Sequence, residues 1–380
     1  MKICYCLHGL DNSGGLERII TLKVNYLVNT LGYDVYIIRS DKQLKENFYS
    51  LDYKVKIIDL GVNFSEGLKY SSARRLIIYS KKKKEYLDKF RKNVIDVVNP
   101  DIIISTFGME FYPISKLETR ARKIVEFHFS KYSRINEAKY AKKGVLRILY
   151  EYWKTYRESK VISRFNDLVV LTEQDQKLWN KDNSIVINNF KTFSPKLPAS
   201  LIEKRVVAVG RFSPQKNFSI LIDIWKDIHL KYPDWKLSIV GSGPQEQLLK
   251  EKIEKLNLKE TIDLVAPTMN IDSLYLSSSI HVMTSIYEGM PMVMLEAKSF
   301  GIPSVAFDCE CGPQDIIVDN IDGFLIKKDD TSMFVDRLGC LMNSFDLRQT
   351  MGLKAFDNSK KYNIGNIMTD WERLFKNNKI

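Results

Sequence analysis

The chain has 380 residues, 44% hydrophobic and 27% charged, and its 58 Lys and Arg against 46 Asp and Glu give a net charge of +12. That length exceeds one ordinary core and suits two domains, and the composition excludes a disordered chain. No apolar run approaches the roughly 18–20 residues of a membrane span, while the positive charge asks for an anionic partner: nucleic acid, an acidic membrane face or a phosphorylated substrate.

The first segment, "KICYCLHG" (2–9), predicts a buried strand, and "GGLERIITLKVNYLVNTLG" (14–32) a helix ended by Gly32. Strands follow at "DVYIIRS", "KVKIIDL", "DIIISTF" (101–107), "KIVEFHF" (123–129), "DLVVLT" (167–172) and "SIVINN" (184–189), most of them separated by helix-length segments. This is the rhythm of a parallel, doubly wound sheet. Residues 191–203 lie in a proline-containing stretch, "FKTFSPKLPASLIE", that predicts a linker after a first domain of 1–190. The rhythm restarts in a second domain, 204–363: "RVVAVG" (205–210), a helix near 217–231, "KLSIV" (236–240), a helix near 244–257, "TIDLV" (261–265), "IHVMTS" (280–285), a helix at 291–300 and "PSVAF" (303–307). A last helix, within 364–380 and containing Trp371, is expected to return to the first domain. The fold class is therefore α/β: two doubly wound, Rossmann-like parallel-sheet domains facing a cleft, with ligands beyond the carboxyl ends of the strands.

The start of the chain has a short apolar run and no cleavage-site pattern, so no signal peptide is expected. Five cysteines, none in a C-x-x-C pair, fit a reduced, cytoplasmic setting. Cys4/Cys6 and Cys309/Cys311 form two C-x-C pairs that read as strand cysteines rather than as a metal site.

"YEGMPMVMLEAK" (287–298) is almost wholly apolar yet carries Glu288 and Glu296. Buried glutamates are costly unless something pairs with them. Pro291 reads as the first helical residue and Gly301 lies just past the end. The N–H groups of Met292 and Val293 then lack intrahelical partners, and a helix N-terminus at the carboxyl edge of a sheet is an anion site. Carboxylates on both sides of an anion suit a phosphate flanked by sugar hydroxyls, which is a nucleotide sugar; the plain alternative is two unrelated glutamates on a helix edge. "VGRFSPQKNF" (209–218) sets Arg211 after a strand and Lys216 at a helix entry. Both can bind phosphate oxygens, or be solvated loop cations. Gly14 and Gly15 open the first helix, but no G-x-G-x-x-G is present, so no nicotinamide or flavin cofactor is expected. His128, in "VEFHF", is either packed or functional.

Together these stretches resemble the GT-B glycosyltransferases of the retaining family 4 type, most strongly over about 205–326. The E-x7-E element (Glu288 to Glu296), "GRF-x4-K", "GGLER", "VGSGPQEQLL" (240–249) and "FDCECGPQDIIVDNIDGFLI" (307–326) carry it, the last resembling members that build bacterial capsule, O-antigen or teichoic polysaccharides. The resemblance implies a donor diphosphate bound by Arg211 and Lys216, ribose hydroxyls held by Glu296, and the transferred sugar touched by Glu288. Gly289, Met290, Met292 and Val293 would contribute backbone groups, Gly15 would approach the phosphates, and His128 would sit beside the reacting sugar. The loop from Val265 to Thr268 would flank the base, although it reads "VAPT" where many relatives have a glycine. Arg211, Lys216, Glu288 and His128 are the expected catalytic set, with no metal and no cofactor. The donor is expected to be a UDP-sugar and the acceptor a saccharide or lipid-linked saccharide. The rival readings are a nucleotide-sugar epimerase or hydrolase and a non-catalytic sugar-nucleotide binding subunit. No nucleic-acid motif accompanies the charge, so nucleic acid is not an expected partner.

The charge is uneven. Within 69–92, Lys69, Arg74, Arg75, Lys81, Lys82, Lys83, Lys84, Lys89, Arg91 and Lys92 face only Glu85 and Asp88. Within 120–164, thirteen Lys and Arg stand against four Glu, among Tyr132, Tyr140, Tyr150, Tyr152, Trp153 and Tyr156. Such a mixture suits an anionic membrane interface, or else a solvated helix face with its aromatics turned inward. It leads to the expectation of peripheral attachment, through the first domain, to the inner face of a bacterial membrane.

Overall fold

The computed structural model describes residues 1–380 except 13, 43–45, 65, 67–71, 269 and 377–380. Lys69 and the end of the last predicted helix lie outside the described residues. The first half contains β1 (Lys2–Leu7), α1 (Gly15–Asn29), β2 (Asp34–Arg39), β3 (Lys56–Asp59), α2 (Ser72–Phe90), β4 (Ile102–Ser105), α3 (Phe111–Ser115), β5 (Arg122–Phe127), α4 (Ser133–Tyr140), α5 (Val145–Ile162), β6 (Asp167–Val170), α6 (Glu173–Trp179) and β7 (Ser184–Val186). Its strands form one parallel sheet in the order β3-β2-β1-β4-β5-β6-β7. From Ile3 onward β1 is buried throughout, as are β4 and β6, because helices cover both faces of the sheet. In α1 the buried Ile20, Val24, Leu27 and Val28 repeat at helical spacing, which aims one stripe at the sheet.

The second half contains β8 (Arg205–Val209), α7 (Phe218–Lys231), β9 (Lys236–Val240), α8 (Glu246–Lys255), β10 (Ile262–Val265), α9 (Ile271–Leu276), β11 (Ile280–Met283), α10 (Met292–Ser299), β12 (Ser304–Asp308), α11 (Pro313–Ile316), β13 (Gly323–Lys327), α12 (Thr331–Asn343), α13 (Phe345–Ser359) and α14 (Ile364–Phe375). Its parallel sheet runs β10-β9-β8-β11-β12-β13. In both sheets the strand order reverses beside the first strand, between β1 and β4 and between β8 and β11. The loops leaving those strands therefore lie at the switch points, where open α/β sheets bind ligands. The first leads into Gly15 at the start of α1, the loop after β8 carries Arg211 and Lys216, and the loop after β11 carries Glu288.

Several boundaries differ from expectation. Strand β5 ends at Phe127, so His128 follows it, and β7 ends at Val186 rather than 189. Pro291 caps α10 in extended geometry (φ −71°, ψ 101°) instead of opening it, and the helix starts at Met292. Residues 191–203 form neither helix nor strand, although Ala199 and Leu201 are buried beside Ile302 and Phe300.

Helix α14 packs its Ile367, Met368, Trp371, Leu374 and Phe375 into the same core as Ile3, Tyr5, Ile20 and Val24. Trp371 is fully buried there, with the Lys23 ammonium 3.8 Å from its ring centre. Trp371→Ala is expected to cost about 3–5 kcal/mol, the usual range for emptying such a site. Hydrogen exchange should show the loss in β1 and α1; protection that falls only in α14 itself would mean that the helix is not part of this core.

Candidate active site between the two sheets

Three carboxylates stand around the cleft, and each is held by groups distant in sequence. Glu288 is positioned by its loop. The Ile286 N–H donates to the Gln215 carbonyl (2.8 Å), the Glu288 N–H to the Glu310 carbonyl (3.0 Å), and Thr284 Oγ1 to the carbonyls of Lys216 and Asn217 (3.2 Å each). The side chain of Glu288 is buried and accepts from Lys216 Nζ at 2.6 Å, with Gln215 Nε2 at 3.4 Å from its other oxygen. The anion beside Lys216 is thus Glu288. Arg211 is exposed and makes neither hydrogen bond nor ion pair with the described residues, so the two cations of the motif stand in different states.

Glu296, also buried, accepts from Thr192 Oγ1 (2.9 Å) and Arg18 Nη1 (3.2 Å) on one oxygen and from the Tyr275 hydroxyl (3.0 Å) on the other. Burial pushes its carboxyl up, while Arg18 and the two hydroxyls oppose that shift. The Arg18 guanidinium lies 4.7 Å from the Phe193 ring centre. Tyr275 stacks on Phe300, and Val265, at the end of β10, packs in the same cluster. Glu296 is therefore tied to α1 of the first half as well as to its own half.

The start of α10 faces the start of α1. Its first intrahelical bond is Met294 N–H to the Pro291 carbonyl, which leaves Met292 and Val293 ahead of it. A Cβ built on Gly15 would stand 3.8 Å from Met292 Cγ. One built on Gly289 would come within 2.6 Å of the His128 carbonyl oxygen, so only glycine lets the two halves touch there. Met290 is buried, and its sulfur accepts from the Asn189 N–H at 3.2 Å.

His128 Nε2 lies 3.1 Å from Glu126 Oε1. Glu126 is buried and paired with Lys23, itself buried against Trp371. Desolvation pushes the Glu126 carboxyl up, but Lys23 and His128 together outweigh it and hold the group at about 2. The chain Trp371–Lys23–Glu126–His128 thus reaches from the first core to the cleft. Next to Glu288 and Gly289, a cavity of 290 Å³ is lined by Phe107, Phe129, Arg134, Glu137 and Gln215. A larger depression of 660 Å³ sits around Arg122, Lys123, Asn166 and Asp167, at the amino ends of β5 and β6, the opposite sheet edge from every group above.

The structure brings together Glu288, Lys216, Gly289 and His128 at one end of the site and Glu296, Met292 and Gly15 at the other. Sequence reasoning missed Arg18, Thr192 and Tyr275 around Glu296, and Glu126 and Lys23 behind His128. One signal was available: Glu126 and His128 are two residues apart at the end of a strand, hence on one face. The cysteine pairs stay apart: Cys4 and Cys6 are buried in β1, while Cys309 and Cys311 are buried in the other half.

Residues 189–357 match the family model described as glycosyl transferases group 1. The amylovoran biosynthesis glycosyltransferase AmsD of Erwinia amylovora is 31% identical, over 98% of this chain and 99% of that protein. A Campylobacter jejuni α-1,4-N-acetyl-D-galactosaminyltransferase, whose name specifies an acceptor on PP-undecaprenol, is 25% identical over 98% of both. Among solved structures, a mutant of S. aureus TarM in complex with fondaparinux, α-GlcNAc-glycerol and UDP superposes with a TM-score of 0.78, at 18% identity, covering 98% of this chain and 99% of that one. At that identity the likeness is one of fold, the two-domain α/β architecture called GT-B.

Removing one member of a buried ion pair typically costs about 3–5 kcal/mol. Lys23→Met is expected to lose that much, and Lys23→Met with Glu126→Gln to regain part of it. Because the folded-state carboxyl of Glu126 is depressed from 4.5 to about 2, its stabilisation is full above pH 4.5 and is lost as the pH falls toward 2. Urea midpoints across that window should fall more steeply in the wild type than in the double variant; parallel curves would contradict an ionised Glu126.

Proposed function

The chain belongs to the group 1 glycosyl transferases, and from that premise we propose that it is a retaining enzyme of the family 4 type, moving a sugar from a nucleotide sugar to a saccharide or lipid-linked saccharide in the synthesis of a bacterial surface polysaccharide. The observation that carries this reading is the spacing of hydrogen-bonding groups along the cleft: Glu296 at one end, the free N–H groups of Met292 and Val293 in the middle, and the Lys216–Glu288 pair at the other. A nucleotide sugar has hydroxyls, diphosphate and hydroxyls in the same order. Glu296 accepts from the ribose hydroxyls, with Val265 to Thr268 toward the base. Lys216, Arg211 and the α10 N-terminus hold the diphosphate, with Gly15 close by. Glu288 and the backbone of Gly289 and Met290 meet the sugar, and His128 stands beside it. The UDP named for the fold neighbour supports uridine as the base.

In the reaction the bond between the sugar's anomeric carbon and the diphosphate oxygen breaks, and that oxygen gains negative charge. Cations and helix N–H groups already in position stabilise it. The acceptor hydroxyl attacks from the face that the diphosphate leaves. Its proton passes to the departing phosphate oxygen, and the configuration is kept. Glu126, held by Lys23, sets the orientation of His128. The acceptor enters through the first half, which attaches peripherally to the inner face of the membrane when the acceptor is lipid-linked.

Glu296→Ala is expected to weaken UDP binding by about 1.5–3 kcal/mol, the loss of hydrogen bonds to a charged group, whereas Glu288→Ala lowers turnover with little change in UDP affinity. Calorimetry with UDP separates the two; wild-type behaviour of both variants would end the two-carboxylate reading.

Lys216→Ala and Arg211→Ala should each slow the chemical step by about 3–4 kcal/mol of barrier, as other losses of electrostatic stabilisation do. Activity should survive a chelator, and NMR of the product should find the donor's anomeric configuration. An inverted linkage, a strict need for divalent metal, or a donor merely epimerised or hydrolysed when acceptor is present would each overturn the mechanism.

A further inference from the structure

Helix α5 presents an outer face that none of the described residues covers. Val145, Leu146, Leu149, Tyr150, Tyr152, Trp153 and Tyr156 are all exposed, Leu146 at 84% and Trp153 at 51%. At 100° per residue they span an arc of about 160°, opposite the buried Glu151, Thr155, Glu158 and Ile162. A soluble helix normally reverses this arrangement, with carboxylates outside and apolar groups inside. Here both carboxylates of the helix are buried, paired with Arg134 and Arg147. The exposed face retains only cations, and these lie along the rings: Arg157 4.7 Å from the Trp153 ring centre, Lys160 4.5 Å from that of Tyr156, and Arg147 5.4 Å from that of Tyr150.

The positive surface continues beyond the helix. Lys142 and Lys143 are exposed in the turn before it, Lys143 paired with the exposed Glu137 of α4. On α2, the half-buried Lys83, 4.5 Å from the Tyr112 ring centre, is pushed down by burial and by the nearby charges of Arg157, Lys116 and Lys154. Aromatic and aliphatic side chains flanked by cations, with no carboxylate on the outer face of the helix itself, match the headgroup zone of an anionic bilayer. None of the helices, among the described residues, is long and apolar enough to cross a membrane, so α5 would lie in the surface plane.

We propose that α5 is an interfacial docking helix that inserts Leu146, Leu149, Trp153 and Tyr156 into an anionic phospholipid surface, with Arg157 and Lys160 on the headgroups. The inference rests on the proposed function only for its purpose. Helix α4, packed on the inner side of α5, lines the cavity beside Glu288 with Ser133, Arg134 and Glu137. A lipid-linked acceptor held at that surface would present its saccharide to that cavity.

The chain contains its own reporter. Of its five tryptophans, Trp179, Trp225, Trp235 and Trp371 are buried and Trp153 is exposed. The full-length protein is mixed, without donor or acceptor, with vesicles of phosphatidylcholine alone or with 30% phosphatidylglycerol, with and without brominated acyl chains. Binding is expected only to the anionic vesicles, weakened by salt, with tryptophan emission quenched by the brominated chains. Leu146→Glu with Leu149→Glu should abolish quenching. Arg157→Glu with Lys160→Glu should lower the partition coefficient by about tenfold or more. Unchanged thermal unfolding would verify that both variants fold. Equal binding to neutral vesicles, binding without quenching, or self-association that shields Trp153 while vesicles are ignored would overturn the proposal. Sugar transfer to a soluble acceptor is measured separately, so failure of one reading is distinguishable from failure of the other.

Discussion

A carboxylate taken out of water must meet a cation or several hydrogen-bond donors, or the fold loses several kcal/mol. The cleft of this protein is built around three such groups. Glu126 is met by Lys23 from α1, Glu288 by Lys216 from the loop after β8, and Glu296 by Arg18, again from α1. The Arg18–Glu296 pair joins the two halves of the molecule. With Gly289 against the His128 carbonyl, it fixes how the two sheets face one another at the place where their loops converge. The same rule operates away from the cleft, where the buried Lys298 is matched by Asp322 and by the Ile316 carbonyl.

This compensation decides what the site can do. Glu288 and Lys216 neutralise each other, and their pairing holds the loop after β11 against the loop after β8. A diphosphate placed at the α10 N-terminus would share Lys216 with Glu288 and recruit Arg211, which has no ion-pair partner among the described residues. Charge developing on a leaving phosphate would then meet groups already oriented, which is the condition under which electrostatic stabilisation contributes most. Arg18 has a different part. It occupies one oxygen of Glu296, so any hydroxyl bound there would have to fit beside a guanidinium that belongs to the opposite half.

Most strands were legible because parallel strands covered on both faces read as continuous apolar runs, as in β1, β4 and β6. Strand β13 and helices α12 and α13 escaped the same reading. The strand "GFLIK" is five residues long and follows a turn, and Gly339 interrupts the pattern of α12, where a Cβ would stand 3.1 Å from the Tyr232 hydroxyl oxygen. Pro291 shows the limit of a residue-type rule: proline suits a first helical position, yet here its ψ of 101° keeps it outside the helix as a cap. At the site, Glu288, Lys216 and Glu296 stood out because their charges interrupt apolar or glycine-rich stretches. Their partners did not. Arg18 is 278 residues from Glu296 and Thr192 is 104, and no local pattern encodes a contact at that separation. Only the pair Glu126 and His128 was within reach of periodicity alone.

The helical hairpin of α4 and α5 shows how one pairing can shape two surfaces. Arg134 lines the cavity beside Glu288, and its guanidinium pairs with Glu158 and approaches Glu151 at 3.6 Å. Those two are the only acids in α5. Drawing them inward gives the cavity wall a fixed, charge-compensated arginine. It also strips the outer face of α5 of every carboxylate, so that its rings are accompanied by cations alone. A surface that would repel anionic headgroups if Glu151 and Glu158 faced out would, in the arrangement seen, attract them. The chemistry of the cavity and the charge of the outer face are thus set by the same three side chains, and a change at Arg134 would be felt on both.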